Sequence, residues 1–226
     1  TKKPKNVTII EGFPGFGLIG TIAVEFLMDH LETEKIGTIE MDEVPAMIAI
    51  HQNKVIEPVS LHYNKEHNMV LVHAINIGKN TGWKLSEMIE QLAQELDAKE
   101  IVSLEGVGSP NPGNKVFYYT TQGSPPNKKL LSTVASPLSE GIVVGVTGAL
   151  LAKNLKIPVI AFFAEAQSGL PDSRAAAEII KALDAYTGLQ IDPKPLLQQA
   201  KVFEQKLKGI IQKSSKAEEL QEEKQD

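Results

Sequence analysis

Three glycines and one acid make the clearest chemical pattern in this chain. Gly15, Gly17 and Gly20 form G-x-G-x-x-G inside Gly12-Phe13-Pro14-Gly15-Phe16-Gly17-Leu18-Ile19-Gly20. The apolar run Val7-Thr8-Ile9-Ile10 precedes the loop, and a helical pattern starts near Leu18. In that strand–turn–helix setting the pattern is the dinucleotide-binding fingerprint. Its glycines let backbone N–H groups approach a pyrophosphate at the helix start. Glu40 follows Gly20 by 20 residues, where an acid would hold a ribose hydroxyl. These four residues define one reading, a nucleoside- or nucleotide-binding enzyme that uses the Gly12–Gly20 loop.

Three features oppose it. Glu11-Gly12-Phe13-Pro14 separates the apolar run from the first fingerprint glycine, whereas the dinucleotide turn is tighter. Pro45 and an expected hairpin follow the second strand, where a crossover helix should stand. No lysine or arginine occurs between Asn6 and Glu34. The competing reading is a close-packed turn that the glycines make sterically possible.

Other reactive residues form no set. His30, His51, His62, His67 and His73 are scattered, and none makes an i, i+3 or i, i+4 pair on an expected helix, so metal ligation is unsupported. His73 reads as a core residue of an apolar strand. Glu40, Asp42 and Glu43 crowd one strand end and Glu105 ends another, which reads as a solvated acidic rim. Ser103, Ser109 and Ser168 lack a G-x-S-x-G elbow, so a hydrolase triad is unsupported.

The elements that would position these residues alternate. Strands are expected at Val7–Ile10, Ile36–Met41, Met69–Ile77, Ile101–Leu104, Val116–Thr121, Ile142–Val144 and Ile157–Phe163. Helices are expected at 18–31, Thr81–Leu96 (capped by Thr81), Ala149–Asn154 and Ser173–Thr187 (capped by Asp172 or Ser173 and stopped by Gly188). Met47–Ile50 and Val55–Tyr63 read as a hairpin around Gln52-Asn53-Lys54. Glu105–Gly113 and Gly123–Asn127 read as loops, and Gly145–Gly148 as a tight turn. The result is α/β: a mostly parallel sheet with helices on both faces, an inserted hairpin and a long C-terminal helix.

That last helix spans Pro193 to Gln225. Leu196, Ala200, Phe203, Leu207 and Ile210, with Ile211 beside them, make a heptad-spaced stripe. With no later element to cover it, Leu196, Phe203, Leu207, Ile210 and Ile211 are expected to contact another copy or a partner. The chain then divides into an α/β domain, 1–190, and a helical extension, 191–226, with a Lys/Glu/Gln-rich end that is expected to fray.

Composition narrows the partners. Of the 226 residues, 42% are apolar and 23% charged, as in ordinary soluble domains. No apolar run is long enough for a membrane span, and the basic start Thr1-Lys2-Lys3-Pro4-Lys5 has no hydrophobic region of a signal peptide. A net charge of −5 and a single arginine, Arg174, argue against nucleic acid. The absence of cysteine removes thiol chemistry and fits a cytoplasmic location.

The motif Gly12-Phe13-Pro14-Gly15-Phe16-Gly17-Leu18-Ile19-Gly20 resembles the opening of the proteasome assembly chaperone 2 family, in its archaeal branch. Glu105-Gly106-Val107-Gly108, Gly145-Val146-Thr147-Gly148-Ala149-Leu150-Leu151 and Pro171-Asp172-Ser173-Arg174-Ala175-Ala176 resemble three further motifs of that family, in the same order. The resemblance covers roughly residues 7–187. It implies a fold similar to purine nucleoside phosphorylases without their catalysis. It also implies a homo-oligomeric, non-enzymatic chaperone or scaffold for proteasome α-subunits or related partners, with no cofactor. Some members have been labelled ATP-grasp-like, but no carboxylate and lysine set here suits a magnesium nucleotide. Proteasome-docking members often end in a hydrophobic residue, a tyrosine and any residue; this chain ends Lys224-Gln225-Asp226. A truncated sequence, another docking surface or another partner would each account for that.

Overall fold

Largely apolar strands fill the middle of the sheet in the structure, a computed structural model that describes residues 3–44, 48–51, 54–109, 112–121, 125, 128–166, 170–198 and 209. In chain order the elements are β1 (Thr8–Gly12), α1 (Ile19–His30), β2 (Thr33–Thr38), β3 (Ala49–His51), β4 (Lys54–Ile56), β5 (Val59–Asn64), β6 (Met69–Ala74), α2 (Gly82–Glu95), β7 (Glu100–Gly108), β8 (Val116–Thr120), α3 (Lys128–Val134), β9 (Ser136–Pro137), α4 (Gly145–Ala152), β10 (Val159–Ala166) and α5 (Ser173–Thr187). The main sheet runs β2-β5-β6-β1-β7-β10-β8-β9. Its centre, β6-β1-β7-β10, is parallel, and β5, β2 and β8 add antiparallel pairs.

Strand alternation divides the core in two. Ile10, Leu71, Val102, Leu104, Ile160 and Phe162 point to one face, where α1 and α5 bring Ile22, Phe26, Ile179 and Leu183. Ile9, Val70, Val72, Ile101 and Val159 point to the other, where α2 and α4 bring Leu85, Ile89, Val146 and Leu150. Burial on both faces is why these strands read as continuous apolar runs. The expected α/β architecture is therefore present.

α5 has the expected bounds. Asp172 accepts a hydrogen bond from the Ala175 N–H at 2.9 Å, and Gly188 ends the helix at φ +74°, a C-terminal glycine stop. Thr81 differs from expectation: it precedes α2 but makes no side-chain cap bond, and its buried Oγ1 has no hydrogen-bond partner.

Other expectations need correction. The expected hairpin is present as the antiparallel pair β3–β4, but its second arm is shorter: the run Val55–Tyr63 breaks at Pro58, which cannot donate to a ladder, and its remainder, β5, joins the main sheet. The strand expected at Ile36–Met41 lies earlier, as β2. β7 continues through Glu105–Gly108, expected as a loop, because those residues pair with Phe163–Ala166 of β10. Ile142–Val144 is not a strand: three apolar residues do not determine a conformation, and these precede α4 directly. α4 itself begins at Gly145, so the expected tight turn is the helix's first turn. α3 and β9 were not expected from the sequence.

Residues 194–198 are helical, and Leu196, only 2% exposed, packs in the same cluster as Tyr186 and Leu189. That stripe residue is thus covered by its own chain. Phe203, Leu207, Ile210 and Ile211 lie outside the described residues, as does most of the segment expected as the C-terminal helix. Among the described residues no helix is long and apolar enough to cross a membrane.

Candidate functional site

The carboxyl ends of β1, β6, β7 and β10 lie along one edge of the sheet, because the four strands are parallel. α1, α2 and α5 start there, each following one of those strands. So does α4, whose Thr147 reaches acids on β1 and β7. This is the edge at which open α/β sheets place ligands.

The Gly12–Gly20 segment links β1 to α1 at this edge. Gly17 (φ +66°) and Leu18 (φ +50°) turn the chain, and a left-handed leucine is a strained choice. The glycines are filled positions. A Cβ on Gly12 would overlap the Gly20 carbonyl, and one on Gly20 would overlap the Leu104 carbonyl and lie 2.9 Å from Gly12 Cα. A Cβ on Gly106 would meet the Phe16 carbonyl, and one on Gly15 the Glu105 carboxyl. The loop is therefore sealed against β1 and β7, which leaves Gly20 no room for a pyrophosphate. Glu40 completes no cofactor set with Gly15, Gly17 and Gly20. It is exposed and lies beyond β2, which β5 and β6 separate from β1. Glu40, Asp42 and Glu43 are the solvated rim expected of them.

Glu105 is not part of that rim. Its carboxyl accepts from the Gly106 N–H at 3.0 Å and from Thr147 Oγ1 at 3.4 Å. Behind it Glu11, fully buried, accepts from Ser103 Oγ and, at 3.4 Å, from Thr147 Oγ1. Thr147 thus bridges two carboxyls from adjacent strands. Burial pushes the Glu11 carboxyl up to about 8, and the nearby Glu105 charge adds to the shift. Burial pushes Glu105 up to about 7 against hydrogen bonds that favour its charged form. Near pH 7 the pair holds between one and two protons.

Glu105 also lines a cavity of about 150 Å³ whose walls include Phe13, Phe16, Ile77, Leu138, Val144 and Phe163. Phe16 lays its ring over Gly108. Sequence reasoning missed Glu11, which it placed in a loop; β1 in fact runs two residues past Ile10. The available signal was a glutamate directly after an apolar strand.

A second buried polar pair lies on another face of the sheet centre. His73 of β6 is fully buried, with Nε2 2.8 Å from Glu25 Oε2 of α1. His73 is thus a core residue with an acid against its Nε2, while its buried Nδ1 has no hydrogen-bond partner. His62 is pushed down to about 4, by burial first and by His73 second. Among the described residues no group of three or more acidic or histidine side chains is placed to hold a metal ion.

Exposed apolar residues gather at the same edge as the cavity. Eleven large apolar residues are exposed among those described, and Phe16, Trp83, Ile142, Val144 and Leu170 lie on the segments that join strands to helices there. Ile142 and Val144 are 90% and 73% exposed.

Residues 9–211 match the PAC2 family. An uncharacterised protein of Methanocaldococcus jannaschii is 27% identical over 217 residues, 94% of this chain and 88% of its own length. The Pyrococcus furiosus protein PbaA, described as an archaeal homologue of proteasome-assembly chaperone, superposes with a TM-score of 0.82 at 25% identity, covering 96% of this chain and 97% of its own. A Thermoplasma acidophilum protein of unknown function shares the fold, with a TM-score of 0.84 at 21% identity and coverage of 99% and 92%.

Proposed function

The chain belongs to the PAC2 family, and on that premise we propose that it is a non-enzymatic assembly chaperone or scaffold that holds proteasome subunits or related proteins in the cytoplasm. One observation carries the reading. The carboxyl edge of the sheet, with Phe16, Trp83, Ile142, Val144 and Leu170 exposed, presents apolar surface of the kind that marks protein-binding sites. The similarity to PbaA at 25% identity supports a proteasome-related partner, with α-subunits the specific candidates.

Capture of purified proteasome α-subunits by the intact chain tests this. The unmodified chain is expected to retain them, and Ile142→Asp combined with Val144→Asp to retain at least tenfold less. Equal capture by both chains would remove the edge from the binding surface. No capture by the unmodified chain would remove the partner.

The chain also assembles with itself through the C-terminal stripe, in this reading. Phe203, Leu207, Ile210 and Ile211 are spaced as one apolar face, and each large side chain buried between copies contributes roughly 1.5–3 kcal/mol. Light scattering should show an oligomer for the unmodified chain and a smaller species for Phe203→Glu with Leu207→Glu. An unchanged mass would exclude the stripe.

A further inference from the structure

We propose that the cavity between the Gly12–Gly20 loop and the start of α4 binds a protonated primary amine on a short aliphatic stem, with Glu105 as its counter-charge and Glu11 behind. The inference stands apart from the assembly reading and rests on the cavity alone. Its volume of about 150 Å³ suits a group of about six heavy atoms, since cavities of that size take up benzene. Phe13, Ile77, Leu138, Val143, Val146 and Phe163 give it apolar walls, and among the described residues Glu105 is its one ionisable lining residue. Methylene groups fit the walls, and a donor group fits the carboxyl.

Charge selects the donor. Glu11 and Glu105 bond to hydroxyls and backbone N–H groups, and among the described residues no lysine, arginine or histidine forms an ion pair with either. Glu11 Oε2 is buried with no hydrogen-bond partner. Buried carboxyls are stabilised by a paired cation, and an ammonium entering the cavity supplies one. The same two acids repel phosphate, so a nucleotide does not suit this cavity. Around Glu105, β1 contributes Glu11, α4 contributes neutral Thr147, and the Gly loop contributes backbone N–H groups only.

The test is a titration of the full chain at pH 8 with n-butylamine and with 1-butanol, its uncharged analogue. Glutamate side-chain carboxyl NMR resonances report binding. The amine is expected to move two of them and to bind at least tenfold more tightly than the alcohol. Glu105→Gln keeps the acceptor for the Gly106 N–H and is expected to abolish that preference. On the unmodified chain, lowering the pH from 8 to 6 protonates Glu105 and should cut the preference roughly tenfold. Nα-acetyl-lysine N-methylamide separates the two sources of such an amine: if it binds as n-butylamine does, the natural occupant is a lysine side chain, and if only n-butylamine binds, a free small amine. Equal binding of amine and alcohol, no binding of either, or tighter binding of inorganic phosphate would each overturn the proposal.

Discussion

Glu11→Gln is expected to remove most of a stability loss that the unmodified chain shows as pH rises from about 5 to 8.5. Folding raises the Glu11 carboxyl from 4.5 to about 8 and the Glu105 carboxyl to about 7. Between those limits the folded chain binds more protons than the unfolded one, so stability falls as pH rises. The contribution is fully present below about 4.5 and is lost as pH passes first 7 and then 8. Each tenfold change in proton affinity corresponds to about 1.4 kcal/mol, so the loss is about 6 kcal/mol for the pair, of which Glu11 supplies about 4 kcal/mol. For a chain of this size the Glu11 share lowers the thermal midpoint by roughly 8–16 °C. Glutamine keeps the oxygen that accepts from Ser103 and cannot ionise. At pH 5 the variant and the unmodified chain should melt together; at pH 8.5 the variant should melt higher. Thermal scans at fixed protein concentration decide it, and parallel pH profiles would show that the Glu11 carboxyl titrates normally.

Gly20→Ala should be among the most damaging single methyl additions at the described glycines. Gly20 sits in the first turn of α1, and the added Cβ would overlap the Leu104 carbonyl of β7. Its other near neighbour is Gly12 of β1, with Cα at 2.9 Å. Both obstacles are backbone in the middle of the sheet and cannot rotate aside. Relief requires α1 to lift from the sheet, which separates Ile22 and Phe26 from the core they share with Leu71 and Phe162. The cost exceeds about 3 kcal/mol, the upper end of ordinary overpacking. Gly145→Ala is the control. Gly145 has φ +71° and nothing within 4 Å of an added Cβ, so an alanine there meets no neighbour and costs only the left-handed backbone strain, about 1–2 kcal/mol. Urea midpoints should rank the chains as unmodified, Gly145→Ala, Gly20→Ala. If the two variants unfold together, α1 does not meet the sheet as closely as described.

Both predictions concern residues whose importance the sequence disclosed unequally. The glycines drew notice through their spacing, but spacing does not separate a ligand cradle from a packed turn. Only the positions of Leu104 and Phe16 do that, and both depend on the pairing of β1 with β7. Glu11 was illegible because a charged residue after a largely apolar run reads as a strand end; its burial comes from β6, β7 and α4, more than 50 residues away in sequence. By contrast α5 was legible from Asp172 to Gly188, since capping residues act on their own helix. The same locality made β6, β7 and β10 visible as apolar runs while hiding β9, two residues long, and the break at Pro58.

The sheet order has a consequence for how the chain is made. β1 occupies a central position, yet both of its neighbours, β6 and β7, end at Ala74 and Gly108. During synthesis at about 5–20 residues per second the first strand waits roughly 5–20 seconds for its second neighbour. Through that interval Ile9 and Ile10 have no finished sheet to enter, and α1 has no face to cover. β1 is therefore flanked on both sides only after β5 and β6 are, and the growing chain carries its unpaired apolar edge until β7 is made.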